Sequence, residues 1–263
     1  MLSDLINSLK KPNLWGFTTW FRFLIRYRRT AIGPLWIIAS PVLFIAFLGA
    51  LFVGLSQMST SEFIPHLTIG LVVWTLLGGL FLRSPDIFIR NKSYLMQGKI
   101  TFTDIVLIDN AELVVHFFHQ TILIVAVCWY YDLIDSSYFL VSFLGLFVLI
   151  INGFWLSLVL GILGARFKDI GEIVGALISI AFLATPIIWM PSAGSAIGGK
   201  GSILERYLTY NPFYHFLEII RAPLMGNPIS YLTWIIVGCF TVLGFMLASY
   251  MYKKYRHMII FWA

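Results

Sequence analysis

A chain of 263 residues that is 59% hydrophobic, 17% aromatic and only 11% charged is far from soluble globular composition, in which charged residues run near a quarter. This excludes an ordinary soluble domain and implies an integral membrane protein. The net charge of +6 follows from basic residues gathered in loops and at span ends; nucleic acid is not needed as a partner, whereas anionic lipids or phosphates can use the same groups.

The first thirty residues are polar or amphipathic and do not read as a secretory signal, which needs an apolar core before a small-residue cleavage site. Residues 15–29 read as a helix lying in the membrane interface. Arg22, Arg26 and Arg29 follow i, i+4, i+7, Phe17, Phe21 and Leu24 line a second face, and Trp20, Phe23 and Tyr27 a third. Such a helix can serve as an anchor and topology signal, or grip a lipid-borne phosphate. Gly33-Pro34 then breaks it. Apolar runs long enough to cross a bilayer follow at about 35–55, 64–82, 107–129, 139–163, 173–190 and 232–252, which predicts six helical spans. A β-barrel would instead show short alternating strands. The predicted organisation is a single all-α transmembrane domain: 1–34 cytoplasmic and interfacial, 35–190 five spans, 191–230 a periplasmic hairpin, 231–252 the sixth span and 253–263 a tail.

Basic residues orient the spans. Lys10, Lys11, Arg22, Arg26, Arg28 and Arg29 precede the first span; Arg83, Arg90, Lys92 and Lys99 lie between the second and third; Arg166 and Lys168 follow the fourth, and Lys253, Lys254 and Arg256 the sixth. That places 15 of the 18 Lys and Arg on one side and leaves Lys200, Arg206 and Arg221 on the other. Both termini are therefore expected in the cytoplasm. The connection 83–104 mixes apolar and basic residues around Gly98, which suits either a docking surface for a soluble partner or a solvated turn. Its Asn91-Lys92-Ser93 matches a glycosylation sequon, which has no meaning on the cytoplasmic side.

The third span opens with Asp109, Glu112, His116 and His119, spaced 3, 4, 3 so that all share one helical face beside Gln120. Ionisable groups at that depth normally face a bundle interior or water. Glu112, His116 and His119 could supply three metal ligands, but no further Cys, His or Asp cluster completes a site. A polar cavity wall or buried hydrogen-bonded pairs are the other readings. Cys128 and Cys239 fall inside spans and read as small core hydrophobes.

The fifth apolar run closes with Thr185-Pro186-Ile187-Ile188-Trp189-Met190-Pro191. A Gly/Ser-rich stretch at 192–202 follows, then an apolar piece at 213–224. Even fully helical, that piece would reach only ~18 Å against a bilayer core of ~30 Å, and it carries His215, Glu218 and Arg221. It reads as part of a short hairpin that dips into the outer side of the membrane and packs on protein. Such a cap points to a transporter. The G-x₄-G-K pattern at 194–200 is no phosphate loop, since Gly201 stands where Ser or Thr would hold magnesium and no strand precedes it.

Several stretches taken in order resemble a known family. They are Arg26-Tyr27-Arg28-Arg29-Thr30-Ala31-Ile32-Gly33-Pro34-Leu35-Trp36, Gly70-Leu71-Val72-Val73-Trp74, Ala165-Arg166-Phe167-Lys168-Asp169-Ile170, Thr185-Pro186-Ile187-Ile188-Trp189, Asn211-Pro212-Phe213-Tyr214-His215 with Arg221-Ala222-Pro223-Leu224-Met225-Gly226, and Tyr255-Arg256-His257 with Trp262. Together they are similar to the membrane-spanning permease of type-2 ATP-binding-cassette (ABC) exporters, in particular those that export lipid-linked O-antigen and related bacterial polysaccharides. The resemblance implies six helices per subunit, an interface helix, a coupling segment between the second and third spans and two short re-entrant helices before the last span. It implies a homodimer in the bacterial inner membrane, working with two copies of a separate ATPase that binds the ATP and magnesium. This chain then needs no cofactor and performs no catalysis. The implied cargo is a glycan on undecaprenyl pyrophosphate, and the implied coupling residues are Lys99, Ile100, Thr101, Phe102 and Asp104. A proline common in that segment of relatives is absent here.

Such a cargo suits the residue types present. Sugar C–H faces stack on aromatic rings, for which Trp36, Trp74, Phe81, Trp155 and Trp189 are candidates; each also fits an interfacial aromatic belt. Pyrophosphate prefers the bidentate guanidinium, and Arg26, Arg28, Arg29, Arg83 and Arg90 lie on the loading side, with Glu112, His116 and His119 along the pathway. Two other classes compete. A polytopic acyl- or glycosyltransferase using Glu112, His116 and His119 would turn over without an ATPase. A secondary transporter would show internal repeats and broken helices in both halves, whereas only the carboxy-terminal half is interrupted.

Overall fold

The computed structural model describes residues 1–56, 59–134, 138–190 and 203–263, and every regular element among them is a helix. In order these are α1 (Leu2–Leu9), α2 (Pro12–Tyr27), a 3-10 turn (Gly33–Leu35), α3 (Trp36–Ser56), α4 (Thr60–Arg83), α5 (Ile87–Arg90), α6 (Lys92–Met96), α7 (Phe102–Tyr130), α8 (Val141–Arg166), α9 (Ile170–Ala184), α10 (Ile203–Tyr210), α11 (Pro212–Leu224), α12 (Tyr231–Tyr255) and α13 (Ile259–Trp262). The Gly/Ser-rich stretch at 192–202, with its G-x₄-G-K pattern, lies outside the described residues.

Five of these helices are long and apolar enough to cross a membrane: Gly33–Phe52, Thr60–Arg83, Phe102–Tyr130, Val141–Arg166 and Tyr231–Tyr255. The fifth apolar run, at 173–190, behaves differently. Its helix, α9, has 15 residues and is about 22 Å long, because Thr185 adopts φ −91° and ψ 138° ahead of Pro186. The proline ring disfavours helical backbone in the residue before it, so the chain continues through Ile187–Met190 without helix.

α4 is the axis of the bundle. Of its apolar window 78% is buried, against 17% for the first long helix and 22% for the last, so α3 and α12 form the outside. α3, α7, α8, α9 and α11 pack around α4. α8 meets its neighbours through glycines, the residue that lets helix backbones approach most closely in lipid. A Cβ on Gly145 would strike the Ile219 carbonyl of α11, and one on Gly164 the Pro85 carbonyl just beyond α4. A Cβ on Gly153 would come within 2.8 Å of Leu80 on α4.

Both termini lie at one end of the bundle. Asp4 accepts a hydrogen bond from the Tyr252 hydroxyl at 3.0 Å, which ties α1 to the end of α12. α7 starts at the same end with a capping box, in which Thr101 accepts from the Asp104 backbone N–H and the Asp104 carboxylate accepts from the Thr101 N–H. Gly98, at φ +69°, makes the left-handed turn that brings the chain from α6 into this cap.

These contacts predict opposite outcomes for two Gly→Ala changes. Gly145→Ala pushes a methyl onto backbone and should destabilise by ~1–3 kcal/mol or more. Gly16→Ala, inside α2 with nothing within 4 Å, should be neutral or stabilise by up to ~1 kcal/mol. Thermal denaturation of the purified variants reads both.

Candidate functional site

The polar face of the third predicted span becomes the centre of an ion-pair cluster at the end that carries both termini. α7 presents Asp109 and Glu112, whose side chains are 4% and 3% exposed. Arg83, the last residue of α4, reaches Asp109 at 3.0 Å and Glu112 at 2.8 Å. Arg26, in the last turn of α2, holds the other Glu112 oxygen at 2.5 Å. Arg90 of α5 completes the set at 3.5 Å from Asp109 and also donates to the Arg83 carbonyl at 2.7 Å. Three guanidinium groups thus face two carboxylates, and the cluster keeps one positive charge. Buried carboxylates need this number of partners, because each leaves several lone pairs to satisfy.

The two histidines close the cluster on the α2 side. Arg26 donates to His116 Nε2 at 3.0 Å; since guanidinium has only donors, that ring nitrogen is the acceptor. His119 donates from Nδ1 to the Val115 carbonyl at 2.7 Å, and its ring stacks on Phe23 at 4.8 Å. Phe23 also meets His116 edge-on at 5.7 Å and is 1% exposed. Arg22 donates to Asn91 Oδ1 at 2.7 Å and lies over the Tyr94 ring. α2 is therefore bound to α4–α7 by both packing and charge. Beside it Tyr27, Trp36, Ser40, Thr75, His116 and Gln120 line a cavity of about 360 Å³. Burial raises the Tyr27 phenol above its usual pKa, with Arg26 pulling the other way, so Tyr27 offers this cavity a neutral hydroxyl. Among the described residues no three His, Cys, Asp or Glu side chains converge as a metal site.

A second polar set lies far along the chain from the first. Arg221 of α11 is 3% exposed. It pairs with Glu218 one turn earlier, donates to the Pro186 carbonyl at 2.5 Å and contacts His66 Nε2 of α4 at 3.2 Å. Asn211, the N-cap of α11, donates to Thr185 Oγ1 at 3.1 Å. His215 bonds Thr233 at 3.0 Å and the Thr209 carbonyl at 2.9 Å. The non-helical Thr185–Met190 segment is thus stitched to α11 and α4.

The model of the ABC-2 type transporter family matches residues 14–225, from α2 to just past α11. This chain belongs to the ABC-2 type transporter family. No curated protein matches it. An ABC-2 membrane domain is a permease component of an ABC transporter, generally non-catalytic, and implies an ATPase subunit as partner.

The structure distributes the site residues read from the sequence of this ABC-2 domain unevenly. Arg26, Arg83, Arg90, Glu112 and His116 come together in one cluster, with His119 at its edge. Arg28 and Arg29 are exposed and make no ion pair among the described residues. Trp74 and Phe81 converge on Phe213 of α11, at 5.7 and 5.2 Å. Trp36, at the start of α3, lines the cavity beside the cluster with Tyr27 and His116, Trp155 donates to Asn152 on α8 and Trp189 donates to the Leu183 carbonyl. Of the residues at 99–104, Lys99 and Thr101 are exposed, Ile100 is half-buried and Phe102 packs edge-on against Phe88 and Tyr252. Asp104 is fully buried, spent on the α7 cap. Sequence reasoning names Phe23 and Phe213 without giving either a site role, and it misses the partnership of Asp109 with two arginines. The spacing of Asp109 was visible; its partners, 19 and 26 residues away, were not.

Glu112→Gln should be the most costly change in the cluster. It leaves Arg83 and Arg26 facing a neutral amide in a buried setting, a loss of ~3–5 kcal/mol. Arg26→Gln, whose side chain is 44% exposed, should cost less, and the double variant should fall short of the sum of the two. Thermal unfolding of the three purified variants gives the coupling.

Proposed function

We propose that this chain is the transmembrane subunit of an ATP-driven exporter that moves an undecaprenyl-pyrophosphate-linked polysaccharide of the O-antigen class from cytoplasm to periplasm. It works as a homodimer with two copies of a separate ATPase, in the bacterial inner membrane. The observation that carries this reading is the collection of Arg26, Arg28, Arg29, Arg83 and Arg90 at one end of the bundle, where the cluster keeps an excess positive charge and Arg28 and Arg29 stand exposed. An anionic head on a lipid anchor would find bidentate donors there. Membrane lipids would supply the same phosphates more weakly.

The topology that goes with this reading places both termini in the cytoplasm, as the basic residues suggest. The shared end of α1 and the close of α12 fits an even number of crossings. This supports counting α9 together with its non-helical continuation as the fifth of six spans. α2 would lie in the headgroup layer: Phe17, Trp20, Phe21 and Leu24 are exposed while Thr19 and Phe23 face α7. α10 and α11 would be the re-entrant pair, capping a pore between two copies that the aromatic residues line in part. ATPase closure would push on Lys99–Thr101 and pass into α7 through its capping box. The transferase reading is weaker, because Glu112, its proposed catalytic group, is held by two arginines and is buried.

Three measurements test the proposal. With the partner ATPase in liposomes, the Arg28→Gln/Arg29→Gln double variant should lower export of the lipid-linked glycan about tenfold or more, the scale of one lost charge-assisted hydrogen bond; an unchanged rate removes the phosphate role. A cysteine replacing Lys99 should cross-link to the ATPase, and Lys99→Glu should weaken assembly without preventing membrane insertion. In intact cells with a permeabilised outer membrane, an impermeant thiol reagent should modify a cysteine at Tyr231 and spare one at Lys99; the reverse pattern inverts the topology.

A further inference from the structure

Between α4, α8, α11 and α12 lies an apolar cavity of about 260 Å³, whose lining includes two of the glycan-stacking candidates, Phe81 and Trp155, but none of the charged groups described above. Leu77 and Leu80 of α4, Leu149 and Leu156 of α8 and Phe216 of α11 form its deep wall, each less than 10% exposed. Its polar groups among the described residues, the Asn152 amide and the Trp155 indole N–H, are bonded to each other and to α8 and α12. Asn152 donates to Thr241 Oγ1 and the Val148 carbonyl, both at 2.8 Å, and accepts from Trp155 Nε1 at 2.7 Å. A buried water needs two to four polar partners, and apolar voids of only ~150 Å³ stay dry yet accept a benzene-sized guest. This cavity is larger and offers water at most one remaining acceptor lone pair, on Asn152, short of the two to four partners it needs. An empty space of this size also forfeits dispersion contacts along its whole lining.

The cavity continues on both sides. Phe81, Pro212 and Phe213 are shared with a groove of about 500 Å³ along α9 and α10. Trp155 and Phe240 are shared with a groove of about 350 Å³ on the outer face of α12, where Ile235, Leu243 and Leu247 are 61%, 64% and 46% exposed. In a bilayer that outer face meets hydrocarbon. We propose that the cavity binds a single hydrocarbon chain, isoprenyl or acyl, that reaches in from the bilayer past Trp155 and Phe240. The guest lies against Pro212, Phe213 and Phe216 on one side and Leu149 and Leu156 on the other. Its presence therefore bears on how α11 seats on α8. The site depends on the chain being a membrane protein, not on the polysaccharide cargo.

The test uses the purified full chain in nanodiscs containing a trace of phospholipid with a diazirine in its acyl chain or, separately, an isoprenyl phosphate with a diazirine in its chain. After irradiation, adducts should map to residues around Trp155 and Phe213 and saturate as probe increases. Adducts at the exposed Leu43 and Phe47 of α3 should rise linearly. Leu156→Trp, which fills the cavity, should cut the saturable adducts at least fivefold and leave those on α3 unchanged. Excess unlabelled isoprenyl phosphate or excess phospholipid should displace them, and the stronger competitor identifies the source of the chain. If Leu156→Trp aggregates, saturation and displacement in the unaltered chain decide. Absence of adducts at Trp155 and Phe213, linear labelling there, or labelling indifferent to Leu156→Trp in a folded variant overturns the site. Failure of polysaccharide export in liposomes would leave it standing.

Discussion

Two carboxylates on one helix dictate much of how this protein is put together. Asp109 and Glu112 sit near the start of α7 with almost no contact with solvent, and neither hydrocarbon nor a packed bundle accepts an unpaired negative charge. They are held by arginines from three other segments: α2, the end of α4 and α5. The constraint works in both directions. α2 cannot drift from the bundle without uncovering Glu112, and the short helices after α4 cannot rearrange without releasing Arg90 from Asp109. Apolar packing alone would let an amphipathic helix slide along a membrane surface; the Arg26–Glu112 pair fixes its position along α7.

The opposite polar set solves a different problem. A chain that stops being helical at Thr185 exposes backbone groups that lipid cannot satisfy. Arg221 and His66 take up the Pro186 and Trp189 carbonyls, and Asn211 reaches Thr185. The irregular segment is tolerated because α11 and α4 bring donors to it. At the first end α1 has a comparable role, since Ser8 exchanges a hydrogen bond with Thr103 at 2.8 Å and covers the start of α7. Any force applied at Lys99–Thr101 meets the amino-terminal helix as well as α7.

Much of this was legible in the sequence, and the part that was not has a common cause. Apolar runs and charge placement delimit the long helices, because length and hydropathy act locally. The 3, 4, 3 spacing shows that Asp109, Glu112, His116 and His119 share a face. What spacing cannot show is the partner: Arg26 to Glu112 and His66 to Arg221 are contacts between distant parts of the chain, set by tertiary packing. The run at 173–190 reads as one continuous span because it is predominantly apolar and carries no charge, yet Pro186 overrides hydropathy through the backbone of Thr185. The resemblance groups Asp104 with the coupling residues; its position three residues after Thr101 also makes it the partner in the α7 cap.

The glycines of α8 have a mechanical consequence. At Gly145 and Gly164 the helix touches neighbouring main chain, with no side chain between them to change rotamer and absorb a displacement. α8, α11 and the Pro85 turn therefore behave as one stiff beam. α3, which packs on α4 and α7 from the outside of the bundle and begins at the Gly33-Pro34 joint, and α9, which ends in an unwound segment, are the compliant members. A motion that opens this molecule would bend it at those two places and leave the beam straight.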